Sequence, residues 1–243
     1  TINLSLEELL WHCTVRVLVA GQPEGTGFFV APRFIVTCAH VVRVDKNPPL
    51  TIVLSDGESL QVLVREVYAD DYPDLALLEL AHPKSCHDVY VELDADVQPL
   101  DKLRTNGFPP QYVYGDGLTL TCEGLSRMPE HPDAAFVKLS EGMVQEGYSG
   151  APLLNVRTGA VCGLINSTRN YWNPYGGRAV SAAVILSLFQ QHILASQLPM
   201  EITSMPWGPL RRLSCAAANG KGSTSATLSN FLSKWSDWSS QIG

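Results

Sequence analysis

The chain has 243 residues, 45% of them hydrophobic, with a formal charge of −7 and a pI near 5.3. This is enough apolar material for a full core in one or two domains. The balance speaks against a nucleic-acid partner, because no basic cluster exists beyond the pair Arg211–Arg212, and against a membrane span, because no apolar run nears the roughly 18 residues required.

Thr1 to Leu10 carries acids and no basic flank, unlike a signal peptide. The chain has no initiator Met, as expected of a fragment or a processed product. Leu4–Trp11 reads as a helix, with Asn3 or Ser5 as its N-cap. Short apolar or alternating runs bounded by turn residues follow: Thr14–Ala20, Gly27–Val30, Phe34–Thr37, Thr51–Leu54, Gln61–Tyr68 and Leu75–Leu80. The polar stretch Ala81–Leu100, with His82, Pro83, Lys84, His87 and Asp88, reads as a linker. A second group of strands is expected at Leu118–Glu123, Ala135–Leu139, Ala151–Leu154, Val161–Asn166 and Arg178–Ala182. Ser181–Ser196 then places Val184 and Leu188, and Ile185, Phe189 and Ile193, at i to i+4 spacing, which predicts a helix packed on the strands. Beyond Leu198 the character changes. Residues 220–225 read as a flexible connector, and Phe231, Leu232, Trp235 and Trp238 form an apolar set at helical spacing. No internal repeat stands out. Many short strands with regular turn signals indicate a sandwich or a barrel.

The cysteines are Cys13, Cys38, Cys86, Cys122, Cys162 and Cys215. They form no C-x-x-C pair, so neither a structural zinc nor any other metal or cofactor is expected. Cys13, Cys38, Cys122 and Cys162 sit in or beside apolar runs, where a thiol behaves as a small hydrophobe. All six are read as reduced thiols, which favours a cytoplasmic location.

Three segments carry chemistry. The first follows Gly25, Thr26 and Gly27: the run Phe34–Thr37 ends in Cys38, Ala39 and His40. Imidazole is the side chain suited to proton transfer near neutrality. His12, His82, His87, His131 and His192 lack such a frame and read as surface or core residues. In the second, Asp74 opens the apolar run Leu75 to Leu78. A carboxylate there is costly without a hydrogen-bond partner, and an imidazole N–H would serve. Asp70 and Asp71 read as solvated loop acids. In the third, Ser149 lies in a tight turn between Gly147-Tyr148 and Gly150-Ala151-Pro152. Glycines allow strained backbone there and can aim N–H groups at one spot. The N–H groups of Gly147 and Ser149 are the expected oxyanion donors. Nucleophile, base, orienting carboxylate and oxyanion donors are the four needs of serine-based acyl transfer.

These segments, in the order His40, Asp74, Ser149, resemble the chymotrypsin-like (trypsin-like) serine proteases. That family's motifs run Thr-Ala-Ala-His, Asp-(Ile/Leu)-Ala-Leu-Leu and Gly-Asp-Ser-Gly-Gly-Pro. The resemblance spans roughly residues 13–195. The compact spacing looks more like the bacterial HtrA-type branch, and the trypsin-like peptidase domains of large bacterial proteins, than the digestive enzymes. The resemblance implies an all-β fold of two six-stranded antiparallel β-barrels with a C-terminal helix, the triad lying in the cleft between the barrels. It implies a protease domain over residues 1–197, with barrel one about 13–85, barrel two about 100–182 and a closing helix at 182–196, then a linker and short tail over 198–243. Val41 and Gln145 stand where digestive enzymes carry cysteines, and Ala151 replaces their second glycine. Alignment with the family places the floor of the specificity pocket at Met143, its wall at Asn166, Ser167 and Thr168, and the open opposite wall at Gly176 or Gly177. Met143 offers no carboxylate, although Glu141 and Glu146 are near in sequence, so cleavage after an uncharged residue is expected. Tyr148 stands where digestive enzymes carry the Asp that receives a freed N-terminus, so no zymogen activation is expected. Order in the loop 142–148 must come from packing, with the Trp-bearing tail or a regulatory partner as candidate controllers.

The leading expectation is a serine endopeptidase acting on protein or peptide substrates. The alternatives are a non-catalytic protease-fold binding module and an esterase using the same residues. The α/β-hydrolase form of the latter is disfavoured by motif order.

Overall fold

A computed structural model describes residues 5–42, 48–70, 72–83, 85–128, 131–168 and 175–197. Asp71, Cys215, Arg211, Arg212 and the tail lie outside these residues. Helix α1 (Leu6–Cys13) is capped by Ser5, whose hydroxyl accepts from the Glu8 N–H at 3.2 Å while the Glu8 carboxylate accepts from the Ser5 N–H at 2.5 Å. This reciprocal capping box selects Ser5 over Asn3 as the start.

Barrel one comprises β1 (Thr14–Val19), β2 (Gln22–Ala31), β3 (Phe34–Cys38), β4 (Leu50–Val53), β5 (Ser59–Tyr68) and β6 (Leu75–Leu80). They close in the order β1-β2-β3-β6-β5-β4 with antiparallel pairing throughout. One helical turn, α2 (Ala39–Val42), follows β3. Barrel two comprises β7 (Lys102–Gly107), β8 (Asp116–Met128), β9 (His131–Ser140), β10 (Pro152–Asn155), β11 (Val161–Thr168) and β12 (Gly177–Ser181). Its order is β7-β8-β9-β12-β11-β10, the same path as barrel one. The internal repeat thus exists in strand connectivity although none is visible in sequence. Helix α3 (Ala182–Gln197) closes the chain's described part, and the expected all-β fold of two six-stranded barrels with a C-terminal helix is the one found.

Strand β7 has no counterpart in the sequence reading. Leu103, Thr105 and Gly107 point inward and are buried, alternating with Lys102, Arg104 and Asn106. The period of two is there, but a single large apolar side chain carries it, so the strand is defined by its neighbours β8 and β10 rather than by its own hydrophobicity.

The segment between the barrels is packed, not loose. Tyr90 and Val91 are buried in the core of barrel one, and the Val91 N–H donates to the Phe29 carbonyl at 2.9 Å. Leu93 then bridges to Val161 of barrel two. The same core continues across the barrels through Phe136, Leu154, Leu164 and Val180 and into the α3 stripe Ile185, Phe189 and Ile193. Five described cysteines are thiols, four of them buried, and burial pushes the Cys38, Cys122 and Cys162 thiols above their ordinary range.

Candidate active site

Strand β3 is buried along its whole length between β2 and β6, and α2 turns immediately after it. The turn sends Ala39, Val41 and Val42 into the core and leaves His40 outward, its side chain 51% exposed. Asp74 sits at the start of the paired strand β6, where Leu75 lies opposite Cys38. His40 and Asp74 are therefore brought together by strand register. His40 Nδ1 lies 2.5 Å from Asp74 Oδ2, and the His40 backbone N–H donates to Asp74 Oδ1 at 2.9 Å. Asp74 is 8% exposed and holds φ of +52°, a left-handed conformation that costs a non-glycine residue of order 1 kcal/mol and tends to mark functional positions.

A third donor reaches the same carboxylate. The Asn166 side-chain N–H donates to Asp74 Oδ2 at 2.7 Å from β11 of the other barrel. An amide facing a carboxylate must present its nitrogen, which fixes the orientation of this Asn. The pocket-wall reading covers Asn166 only through its backbone; its side chain serves Asp74, and no sequence signal marks this.

Ser149 comes from the loop between β9 and β10. Its carbonyl accepts from the Thr26 N–H at 2.9 Å, and the Gly150 N–H donates to the Ile165 carbonyl at 2.8 Å. These bonds stitch the loop to both barrels. A Cβ on Gly25 would meet Val41 at 2.8 Å and the Ser149 carbonyl at 2.9 Å, so the backbone of Ser149 and the α2 turn bearing His40 flank one glycine. Gly147 and Gly150 hold φ of +93° and +88°, and a Cβ on Gly150 would lie 1.9 Å from the Thr26 carbonyl oxygen. Only glycine fits there. Among the described residues, the N–H groups of Gly147 and Ser149 and the Ser149 hydroxyl have no hydrogen-bond partner.

Cys38 lies beneath the pair, within 4.8 Å of ligand atoms on both His40 and Asp74. As a metal site this trio is poor. Burial, then the Asp74 charge, keep the Cys38 thiol protonated, and it points to the Ile165 carbonyl at 3.5 Å. His40 Nδ1 and Asp74 are already spent on each other.

Around the loop 142–148, Met143 is half-buried, whereas Val144 is buried. A Cβ on Gly177 would meet the Ser167 carbonyl at 2.5 Å and the Val144 side chain at 3.3 Å, so Val144 packs against Gly177. Thr168 pairs with Gly177 across β11 and β12. Glu141 is tied outward to Lys102 at 3.1 Å and Thr121 at 2.6 Å, and Glu146 is exposed. Tyr148 is fully buried and its hydroxyl donates to Asp116 Oδ2 at 2.8 Å. Burial, then this bond and the Asp116 charge, hold the phenol protonated. Among other histidines, His12 meets Ser55, His87 stacks on Phe29 and His192 meets Glu66, while Asp70 is exposed.

The trypsin-like peptidase domain matches residues 25–164, more than half of the chain and all three segments above. The chain belongs to the trypsin-like peptidase family. Among solved structures, this peptidase domain resembles the serine endoprotease from Yersinia pestis at 16% identity and a TM-score of 0.61, covering 80% of this chain and 68% of that one. It also resembles the MamO protease domain from Magnetospirillum magneticum at 17% identity and a TM-score of 0.60, covering 75% of this chain and 98% of that one. At such identity the likeness establishes the fold. No curated protein matches the chain.

Proposed function

We propose that this peptidase-family protein is a serine endopeptidase that cleaves peptide bonds through an acyl-enzyme, as part of a larger multidomain protein. Ser149 is the nucleophile, His40 its general base, and Asp74 the carboxylate that fixes the imidazole and stabilises it when protonated. The Gly147 and Ser149 N–H groups receive the developing oxyanion. The observation that carries this reading is the carboxylate of Asp74: almost buried, it engages three hydrogen bonds, two with His40 and one from Asn166. A buried charge so fully satisfied is expensive to assemble and has an evident use in orienting the base.

Cleavage after an uncharged residue follows from the same surroundings. Val144 packs against Gly177, Met143 carries no charge, and Glu141 is held elsewhere by Lys102. A peptide library cut strictly after Lys or Arg overturns this preference.

The unmade bond between the Ser149 hydroxyl and His40 favours a second reading, a binding module that keeps the fold without the chemistry. In unliganded enzymes that contact is often loose and tightens on binding substrate. A fluorophosphonate probe decides between them. Covalent labelling that Ser149→Ala abolishes, without loss of fold, supports the endopeptidase; an unlabelled, folded wild type refutes it.

A further inference from the structure

Thr26 sits between two glycines on β2 and is fully buried. Every polar atom it owns is used on another segment. Its N–H donates to the Ser149 carbonyl at 2.9 Å, and its carbonyl accepts from the Thr37 hydroxyl at 2.6 Å. Its own hydroxyl donates to the Gly147 carbonyl at 2.6 Å and accepts from the Phe108 N–H at 3.1 Å. Both roles of that hydroxyl are thus filled, and a β-branched side chain has little rotameric freedom to abandon them.

The partners are what make this placement chemical. Gly147, at φ of +93°, is the residue whose flanking peptide planes turn most easily. Among the described residues, neither its N–H nor that of Ser149 has a hydrogen-bond partner, although the loop's Tyr148, Gly150 and Ala151 N–H groups do. Thr26 holds the carbonyls of both residues, one through its backbone and one through its side chain. The remaining side of Gly147 is closed by Phe108 and Pro109, since a Cβ there would lie 2.4 Å from the Phe108 carbonyl oxygen. Phe108 is in turn packed on Trp11 of α1, with ring centroids 5.4 Å apart.

We propose that the Thr26 hydroxyl is a positioning group for the oxyanion hole, holding the Gly147–Ser149 segment so that its two N–H groups converge before substrate arrives. The inference rests on the endopeptidase reading above. Donors stabilise a developing oxyanion only if they are aimed in advance. Without the hydroxyl, a buried carbonyl and a buried N–H lose their partner together, and the glycine peptide turns to find another. Thr26 touches no reacting atom; it acts through Gly147.

The test uses the full chain with Thr26→Val, which keeps the shape and removes the hydroxyl, and Thr26→Ser, which keeps the hydroxyl. Wild-type labelling by a fluorophosphonate is established first, then kcat, KM and the pH profile on a peptide that the wild type cleaves. Thr26→Val is expected to lower kcat about 10- to 100-fold, below the 10²–10³-fold cost of deleting a donor outright, with KM within about threefold. The shape of the kcat/KM pH profile should not move, because His40 and Asp74 are untouched, and Thr26→Ser should recover kcat to within about threefold. If Thr26→Val does not fold, Thr26→Cys, of similar size with a weaker donor, takes its place and should fall between Ser and the fully impaired state. Wild-type kcat in a folded Val or Cys variant, or no recovery in Ser, overturns the inference alone. An unlabelled wild type overturns the peptidase reading and the inference with it.

Discussion

Replacing Asn166 by Leu removes one donor from a carboxylate that has three and preserves the volume. Asp74 is nearly buried, so solvent does not restore the lost bond. A hydrogen bond to a charged group contributes about 1.5–3 kcal/mol. The two bonds from His40 remain and continue to orient the imidazole, so the loss is partial. With tenfold per 1.4 kcal/mol, the expected drop is roughly 10- to 100-fold in the rate of Ser149 modification. Asp74→Asn, which favours the wrong imidazole tautomer, should cost on the order of 10⁴-fold by comparison. The assay is the second-order rate of fluorophosphonate labelling, which needs no knowledge of the natural substrate. Melting temperature is measured alongside to separate chemistry from unfolding. Labelling of a folded Asn166→Leu within twofold of wild type refutes the reasoning, because Asp74 would then be held well enough by His40 alone.

Tyr148→Phe removes a hydrogen bond to the partly exposed Asp116, where water can replace it, and should cost about 1 kcal/mol, or roughly 2–4 °C in melting temperature. Because Tyr148 is neutral and its hydroxyl is bonded to Asp116, extra residues placed before Thr1 should leave activity intact; their abolishing it contradicts this account of the loop. Gly150→Ala forces a Cβ toward the Thr26 carbonyl at a positive φ and should destabilise by about 3 kcal/mol or more in denaturant unfolding, with a cost under about 1 kcal/mol counting against the geometry.

Much of this was legible in the chain because its signals are local. Buried runs such as Phe34–Cys38 and Leu75–Leu80 show their strands by composition, and α3 shows itself by the spacing of Ile185, Phe189 and Ile193. The segments around His40, Asp74 and Ser149 are short, ordered and flanked by residues whose constraints are local. What the sequence left dark depends on partners distant along the chain. Strand β7 carries almost no hydrophobic signal and exists because β8 and β10 offer it hydrogen bonds. The pairing of His40 with Asp74 needed the register of β3 on β6. Asn166 reaches Asp74 across 92 positions, Thr26 reaches Gly147 across 121, and Tyr148 finds Asp116 across 32. An Asn, a Thr or a Tyr looks alike in sequence whether it faces water or completes a buried charge. Which of these it does is decided by the strand that burial brings alongside, because an unpaired polar group is costly only once the fold has removed its water.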